Sequence, residues 1–237
     1  MSDGRPPLID PGRARAQHGQ YVSGLESLGI EVRLLPAVEA FPDGCFVEDT
    51  VVAAEGLAML TRSAHPARRG EGASLADVYR SMGLAVQEMA SPANLDGGDV
   101  LRVGRVLYVG MTARTNPAGV AALRAAFGPL GLEVVPVAMP PGILHLKCVV
   151  SNPARDTIVL AEETLPQEIF PGLRVIFIPA EERYAANTIG RDGRVLIAHG
   201  FPGTLRALEA AGFDVVALET SEFRKADGSL TCLSVIL

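Results

Sequence analysis

The chain has 237 residues, 48% of them hydrophobic and 20% charged, a composition typical of a globular protein long enough to bury a core. Its formal net charge of −6, without a run of Lys and Arg, makes nucleic acid and anionic membranes poor partners. The three cysteines, Cys45, Cys148 and Cys232, have no zinc-ligand spacing, and their odd number favours a reducing compartment over a disulfide scaffold. Since the sequence has neither a signal-peptide core nor an apolar run of membrane-spanning length, it predicts a cytoplasmic protein.

The predicted elements recur in the order strand, strand, helix, strand, with a period of roughly 45 residues, which lies within the range of repeat architectures. The first copy lacks its strand pair: a helix is predicted over 13–28 and a strand over 31–35. The second copy is predicted at 46–53, 57–61, 74–82 and 84–89. The later copies are predicted at 100–103, 106–109, 117–127 and 133–137; at 146–151, 157–161 and 175–178, with a loop instead of the helix; and at 187–190, 195–198, 204–211 and 215–218.

A last strand, over 230–237, has no helix of its own. If it joins the first copy, the chain closes into five units around one axis, with loops converging at one end. The Asp192-Gly193 step is a strong hairpin signal, and Gly104-Arg105 is a second one. We therefore expect a single α/β domain over residues 1–237 whose first unit lacks its N-terminal strand.

Four stretches place polar residues within otherwise apolar strands, where a buried charge is costly. They are residues 43–50, 94–99, 144–147 and 227–234. Taken singly, each has an ordinary structural explanation, because Asp-Gly and Gly-Gly steps form turns and a cysteine in an apolar strand behaves as a small hydrophobe. Their joint occurrence in this order favours a functional site.

The segments FPDGCFVEDT, TRSAHPARRGE, LDGGDV, GMTARTN, LHLK, YAAN and DGSLTCLS, in this order, resemble the dimethylarginine dimethylaminohydrolase family of the guanidine-modifying (pentein) superfamily. The resemblance runs from about Arg13 to the C-terminus. It implies a five-bladed α/β propeller of strand–strand–helix–strand units around a pseudo-fivefold axis. It also implies hydrolysis of methylated arginine to citrulline and dimethylamine or methylamine, without a metal or organic cofactor.

The resemblance assigns the chemistry to Cys232, His145 and Asp96. Cys232 would attack the guanidinium carbon, and His145 would protonate the departing amine and later accept a proton from water. Asp49 and Asp96 would grip the guanidinium, because carboxylates accept paired N–H donors and compensate a desolvated cation. A nearby cation, either the substrate or His145, would lower the pKa of the Cys232 thiol.

The amino-acid end of the substrate also requires anchors. The resemblance assigns its carboxylate to Arg68 and Arg114, and its α-amino group to Asp43. Glu48 matches a second acidic binding position, and the main-chain carbonyl of Ala226 matches a backbone contact. Cys45 and Cys148 match no functional position, and we expect them to be packing residues.

The sequence departs from the family at its N-terminus, where the first strand and a loop that forms part of a lid are not recognisable. Pro6 and Pro7 oppose a strand there, because proline cannot donate to a ladder. We expect an exposed edge beside the nucleophile, and from it either weak activity or a homodimer.

Two alternatives remain open on the sequence. The first is a relative that acts on another guanidine, an arginine deiminase or an amidinotransferase, although deiminases of this superfamily carry an additional helical domain. The second is a non-catalytic binding module on the same propeller, because a fold does not fix a function. The joint presence of Cys232, His145 and Asp96 disfavours this second alternative.

Overall fold

Four three-stranded sheets of the same design make up most of the protein, which is described here from a computed structural model over residues 8–237. The strands are β1 (Val51–Ala54), β2 (Leu57–Leu60), β3 (Ala85–Glu88), β4 (Val100–Val103), β5 (Val106–Met111), β6 (Glu133–Ala138), β7 (Val150–Ala154), β8 (Thr157–Ala161), β9 (Arg174–Ile178), β10 (Ile189–Arg191), β11 (Arg194–Ala198) and β12 (Asp214–Leu218). The helices are α1 (Pro11–Ser27), α2 (Ala76–Ser81), α3 (Pro117–Phe127), α4 (Pro202–Ala210) and α5 (Ser221–Arg224).

Each sheet consists of an antiparallel hairpin and a parallel third strand, as the repeated pattern predicts. In the second sheet, β5 pairs antiparallel with β4 and parallel with β6, and the other sheets follow the same order. The crossover to the third strand contains α2, α3 or α4 in three units. In the remaining unit it contains the short 3₁₀ turn Gln167–Ile169, so the prediction of a loop there is confirmed. The turn Asp192-Gly193 has φ values of 51° and 82°, as a tight hairpin turn requires.

Five short 3₁₀ turns bring the polar stretches of the sequence together. Four of them precede the first strand of a sheet, and the fifth lies in the C-terminal segment. They are Val47–Thr50, Gly97–Asp99, Leu146–Cys148, Ala180–Ala186 and Thr231–Leu233. The first contacts the second and the fifth, the second contacts the third, and the third contacts the fourth. The predicted convergence of loops therefore takes the form of contacts between these turns.

Two predicted strands are wrong. Residues 31–35 form no regular element, and residues 230–237 contain only the 3₁₀ turn Thr231–Leu233. No strand among residues 8–237 lies in register beside either segment to complete a ladder. The predicted strands at 46–53 and 146–151 also begin too early, since each starts with a 3₁₀ turn. Over residues 8–237 the structure thus has an α/β fold with four small mixed sheets, none of them closed, and this part of the chain forms no fifth sheet.

Side-chain packing takes the place of the missing ladder. Tyr21 and Leu25 of α1 share one buried cluster with Leu230 and Leu233 of the C-terminal segment. The hydroxyl of Tyr21 also lies 2.7 Å from the hydroxyl of Ser234. The two ends of the described chain are therefore joined, as predicted, but through a helix and a 3₁₀ turn. Within residues 8–237, no helix has both the length and the apolar character needed to cross a membrane.

Candidate active site

An imidazole and two carboxylates from three different turns meet at the centre of the molecule. The Nε2 atom of His145 lies 3.3 Å from Oδ2 of Asp96, and its Nδ1 atom lies 3.8 Å from Oδ1 of Asp49. All three side chains are buried. Gly98 makes this approach possible: its N–H donates to Oδ1 of Asp49 at 2.9 Å, and a Cβ atom at this position would lie 2.7 Å from Nδ1 of His145.

The carboxylates determine the protonation state of His145. Burial disfavours the imidazolium, but the charges of Asp49 and Asp99 and the hydrogen bond to Asp96 outweigh it and raise the pKa of His145 to about 9. Burial acts against the ionised form of Asp49 too, but His145 and Arg68 hold its pKa below the ordinary value. At neutral pH, the site therefore holds an imidazolium that can donate a proton.

Asp96 has one oxygen without a partner among the described residues. Its side chain is 0% exposed, and Oδ2 faces His145 and, at 3.5 Å, Nη1 of Arg114, whereas Oδ1 accepts no hydrogen bond. A buried carboxylate oxygen without a donor is rare, and it indicates a binding partner from outside the chain. An N–H group of a bound cation would satisfy it.

Cys232 lies in the turn Thr231–Leu233, which contacts the turn that carries Glu48 and Asp49. The thiol is free and partly buried. Burial, together with the charges of Glu48 and Asp49, raises the pKa of Cys232 well above its ordinary value, although the main-chain N–H of Ser229 acts in the opposite direction. Without a ligand, the sulfur is therefore a thiol at neutral pH, and a thiolate requires additional positive charge nearby.

The predicted substrate residue Glu48 is fully engaged within the protein. Lys147 Nζ lies 2.6 Å from Oε1, and the Thr231 hydroxyl donates to Oε2 at 2.7 Å. Burial raises the pKa of Glu48, against the charge of Lys147. Glu48 thus links the turn of the proposed nucleophile to the turn that follows His145.

Arg68 and Arg114, both predicted to bind the substrate carboxylate, have different surroundings. The Arg68 guanidinium is 7% exposed and is held by Asp49 at 2.5 Å and Glu71 at 2.8 Å, and it also donates to the carbonyl of Phe46. Arg114 is 25% exposed, and its one ion pair among the described residues is with Asp96. Arg114 is therefore available to an external anion, whereas Arg68 has its donors occupied by the protein.

The two remaining predicted contacts lie in loops. Asp43 is half-buried, and its charge acts on the pKa of Glu71 and on that of the exposed Cys45. Ala226 is half-buried just after α5 and packs against the cluster that contains Tyr21. Burial raises the pKa of Cys148 to about 11, which is consistent with a packing residue.

The sequence-based prediction omitted four residues that hold the site together. Each lies inside or beside a motif that carries the resemblance. Membership in these motifs was therefore the only sequence feature that pointed to a role for these four residues. Asp99 accepts hydrogen bonds from Thr112, Thr115 and the N–H of Leu146, and burial raises its pKa to about 6 against the charge of His145. The others are Lys147, Asn187 and Thr231.

A cavity of about 400 Å³ is lined by Glu48, Lys147 and Thr231, by residues from the first strands of all four sheets and by the C-terminal residues 234–237. Cys232, His145 and Asp96 are not part of its wall. The cavity therefore reaches the candidate site at the Glu48–Lys147 ion pair and not at the predicted catalytic residues.

Asp49, Asp96 and His145 present ligand atoms within 4.8 Å of one another, a spacing that would also suit a metal ion. A metal requires the neutral imidazole, because a protonated nitrogen has no lone pair to donate. Since the pKa of His145 is about 9, binding a metal at neutral pH would have to displace a proton. The site is better suited to a flat organic cation, because such a cation donates hydrogen bonds to the two carboxylates and needs no lone pair from His145.

Known proteins resemble this chain over nearly all of its length. A family profile described as "N,N dimethylarginine dimethylhydrolase, eukaryotic" matches residues 7–198. A Streptomyces coelicolor protein named N(G),N(G)-dimethylarginine dimethylaminohydrolase is 38% identical over 97% of this chain and 88% of its own, and the Pseudomonas aeruginosa protein of the same name is 34% identical over 95% and 89%. A crystal structure of a cysteine-to-serine mutant of the Pseudomonas aeruginosa enzyme complexed with citrulline is 31% identical, covers 98% of this chain and 91% of its own, and has a TM-score of 0.90.

Proposed function

Because this chain belongs to the dimethylarginine dimethylaminohydrolase family, we propose that it hydrolyses Nω-methylated arginine to citrulline and dimethylamine or methylamine. The observation that carries the proposal is the buried group formed by Asp49, Asp96 and His145, with one Asp96 oxygen left for a ligand. A guanidinium is a flat cation with N–H donors in its plane, and paired carboxylates match that geometry.

Substrate binding supplies the charge that the Cys232 sulfur lacks. Burial and two nearby carboxylates hold the pKa of the free thiol high. A guanidinium bound beside the sulfur opposes these effects, because a cation stabilises the thiolate. The thiol therefore releases its proton to solvent when the substrate is bound, and His145 keeps its own proton for the next step.

The reaction then proceeds through two substitutions at one carbon. The Cys232 thiolate forms a C–S bond with the guanidinium carbon, and the C–N bond to the methylated nitrogen breaks as His145 donates its proton to that nitrogen. Dimethylamine or methylamine leaves, and a thiouronium remains on Cys232. His145, now neutral, accepts a proton from water as the water oxygen attacks the same carbon. The C–S bond breaks, the carbonyl of citrulline forms as the proton of the new hydroxyl passes to the Cys232 sulfur, and His145 is left protonated for the next cycle.

The remaining groups are proposed to hold the amino-acid end. Arg114 is our choice for the substrate carboxylate, because it is partly exposed beside Asp96. Asp43 and the carbonyl of Ala226 are proposed to bind the α-amino group. Arg68 and Glu48 are proposed to act on the substrate through the groups that they hold, Asp49 and the turn of Cys232.

The finer features of the assembly are also proposals. We propose that α1 and the C-terminal segment serve as the fifth unit of a pentein propeller and that the protein acts in the cytoplasm, where its three cysteines remain free. Three large apolar side chains are exposed in the segments that flank this unit: Leu34 (65%), Ile236 (51%) and Leu237 (60%). We propose that they form the contact surface of a homodimer. A protein that is a monomer by light scattering and fully active would refute the dimer.

The function is tested by measuring citrulline and dimethylamine released from asymmetric dimethylarginine by the full chain. We expect equimolar release by the wild type, no release by Cys232→Ser, and wild-type release by Cys45→Ser, in which an exposed thiol outside the site is replaced. Arginine and monomethylarginine as substrates distinguish a deiminase from a dimethylargininase. Release of ammonia from arginine in preference to dimethylamine from dimethylarginine would refute the proposal.

A further inference from the structure

The segment YAAN, residues 184–187, takes part in the resemblance but has no role in the proposed reaction. Asn187 directly follows the 3₁₀ turn Ala180–Ala186 and is only 2% exposed. A buried amide must satisfy one acceptor and two donor positions, so its partners show what it holds in place.

Asn187 connects two turns that are far apart in the sequence. Its Oδ1 accepts the main-chain N–H of Thr231 at 2.8 Å. Its Nδ2 donates to the hydroxyl of Thr231 at 2.9 Å and to the main-chain carbonyl of Lys147 at 3.0 Å. Thr231 begins the turn that carries Cys232, and Lys147 lies in the turn that follows His145.

Only an amide in this orientation satisfies all three contacts. If oxygen and nitrogen were exchanged, the NH₂ group would face the N–H of Thr231 and the oxygen would face the carbonyl of Lys147, so donors would meet donors and acceptors would meet acceptors. A carboxylate has the same shape, but it would set an oxygen against the carbonyl. The site therefore requires Asn at position 187.

The same contacts form part of a closed cycle. The hydroxyl of Thr231 accepts from Asn187 and donates to Glu48, whose other oxygen is paired with Lys147, and the carbonyl of Lys147 accepts from Asn187. A largely buried cycle in which each member bonds to two others is rigid, because no member can rotate without breaking one of these bonds. Tyr184 holds the preceding part of the nucleophile loop, since its hydroxyl donates to the carbonyl of Gly228 at 2.8 Å.

We infer that Asn187 is a positioning residue that fixes the Cys232 sulfur relative to the imidazole of His145. The inference rests on the proposed reaction, in which the sulfur attacks and the imidazole protonates the same substrate. Among residues 8–237, the Asn187 side chain hydrogen-bonds only to Thr231 and Lys147, so it acts through these turns and not on the reacting atoms. A displacement of about 1 Å at a reacting atom can lower a rate roughly 100-fold.

The test measures kcat, KM and the thermal midpoint Tm for Asn187→Ala, Asn187→Asp and a matched control, Asn152→Ala. Asn152 is a half-buried asparagine in β7 whose side chain makes no hydrogen bond among the described residues. We expect both Asn187 variants to lose kcat roughly 100-fold with KM changed less than threefold, because the substrate anchors are untouched. Asn152→Ala is expected to keep both constants. The thermal unfolding curve of each variant gives its folded fraction at the assay temperature, and this fraction corrects each kcat.

Thr231 provides a second, independent pair of variants in case the Asn187 variants fold poorly. Thr231→Val removes the hydroxyl that accepts from Asn187, and Thr231→Ser retains it. We expect Thr231→Ser to restore most of the kcat that Thr231→Val loses. The double variant Asn187→Ala/Thr231→Val should lose less than the product of the single losses, because both break the same link.

Two results would overturn the inference. One is a corrected kcat of Asn187→Ala within threefold of the wild type. The other is an equal kcat loss in Thr231→Val and Thr231→Ser. Both are distinct from failure of the proposed function, since in that case the wild type itself would release no citrulline and Cys232→Ser would not differ from it.

Discussion

The protonation of His145 follows from three carboxylates that the chain brings to one imidazole. Asp49, Asp96 and Asp99 together raise its pKa from the ordinary 6.5 to about 9 despite burial. Because the pKa is higher in the folded state, protonated His145 stabilises the fold. This contribution is fully present below about pH 6.5 and is lost as the pH rises through about 9. The same charges that prepare the proton donor therefore make the stability of the protein decrease toward alkaline pH.

The titration of His145 can be followed directly. In the ligand-free wild type, the imidazole C–H resonance should titrate near pH 9. In Asp96→Asn the midpoint should fall, because a neighbouring negative charge and its hydrogen bond to the imidazolium are lost. His18 on α1, whose pKa is lowered by burial, should titrate identically in both proteins. A wild-type His145 midpoint near 6.5 would contradict the electrostatic account.

Replacing Arg68 and replacing Arg114 should have different effects on the free energy of unfolding and on KM. Arg68→Gln leaves Asp49 and Glu71 buried without their cation, and we expect it to lower the free energy of unfolding by about 3 kcal/mol or more. Arg114→Gln should change stability by less than about 1 kcal/mol and raise KM roughly tenfold, since it removes a charge-assisted contact to the substrate. Denaturant unfolding and steady-state kinetics measure both quantities.

An Arg68→Gln variant with wild-type stability and a raised KM would show that Arg68 binds the substrate directly. The sequence alone could not decide whether Arg68 binds the substrate or is held by carboxylates of the protein. The resemblance matched Arg68 to a binding position, but its partners Asp49 and Glu71 follow from how two segments pack. Asp49, Asp96 and His145, by contrast, could be predicted to lie together, because a catalytic grouping requires it and the motifs carry them in order.

At the scale of elements, the helices and hairpins were predictable and the turns between them were not. α3 matches its predicted range of 117–127, because Pro117 and the cap Asn116 mark its start. The segments 46–50 and 146–149 have the apolar pattern of strands, yet they contain 3₁₀ turns. Their conformation is set by tertiary hydrogen bonds, such as the one from Leu146 to Asp99, which no local pattern reveals.

Gly98, in the 3₁₀ turn Gly97–Asp99, offers a sharp test of the site. Gly98→Ala would place a Cβ atom 2.7 Å from His145 and 2.8 Å from Asp49, so the two side chains must move apart. We expect kcat to fall roughly 100-fold or more. Gly19→Ala is the matched control, because its Cβ on α1 meets nothing within 4 Å and should stabilise the helix by up to about 1 kcal/mol. Wild-type kcat for Gly98→Ala would mean that this packing does not matter to the reaction.

At the scale of the whole molecule, the repeated order of elements predicted the four sheets that form among residues 8–237. Each of these four has a hairpin and a parallel strand that pair locally, so its sheet follows from the sequence between its ends. The part proposed as a fifth unit consists of α1 and the C-terminal segment, which lie more than 200 residues apart in the sequence and meet through side chains such as those of Tyr21 and Ser234. Local patterns predict strands for 31–35 and 230–237, but a strand requires a paired neighbour, and the pattern of one segment does not supply it.

The central claim, that one cysteine forms a covalent bond with the guanidinium carbon, is tested most directly by rapid acid quenching and peptide mass spectrometry. Wild-type protein is mixed with asymmetric dimethylarginine and quenched within a single turnover. We predict a transient adduct with the mass of the substrate less dimethylamine, located on the peptide that contains Cys232. Citrulline formation without any adduct, or an adduct on Cys45 or Cys148 instead, would contradict the account.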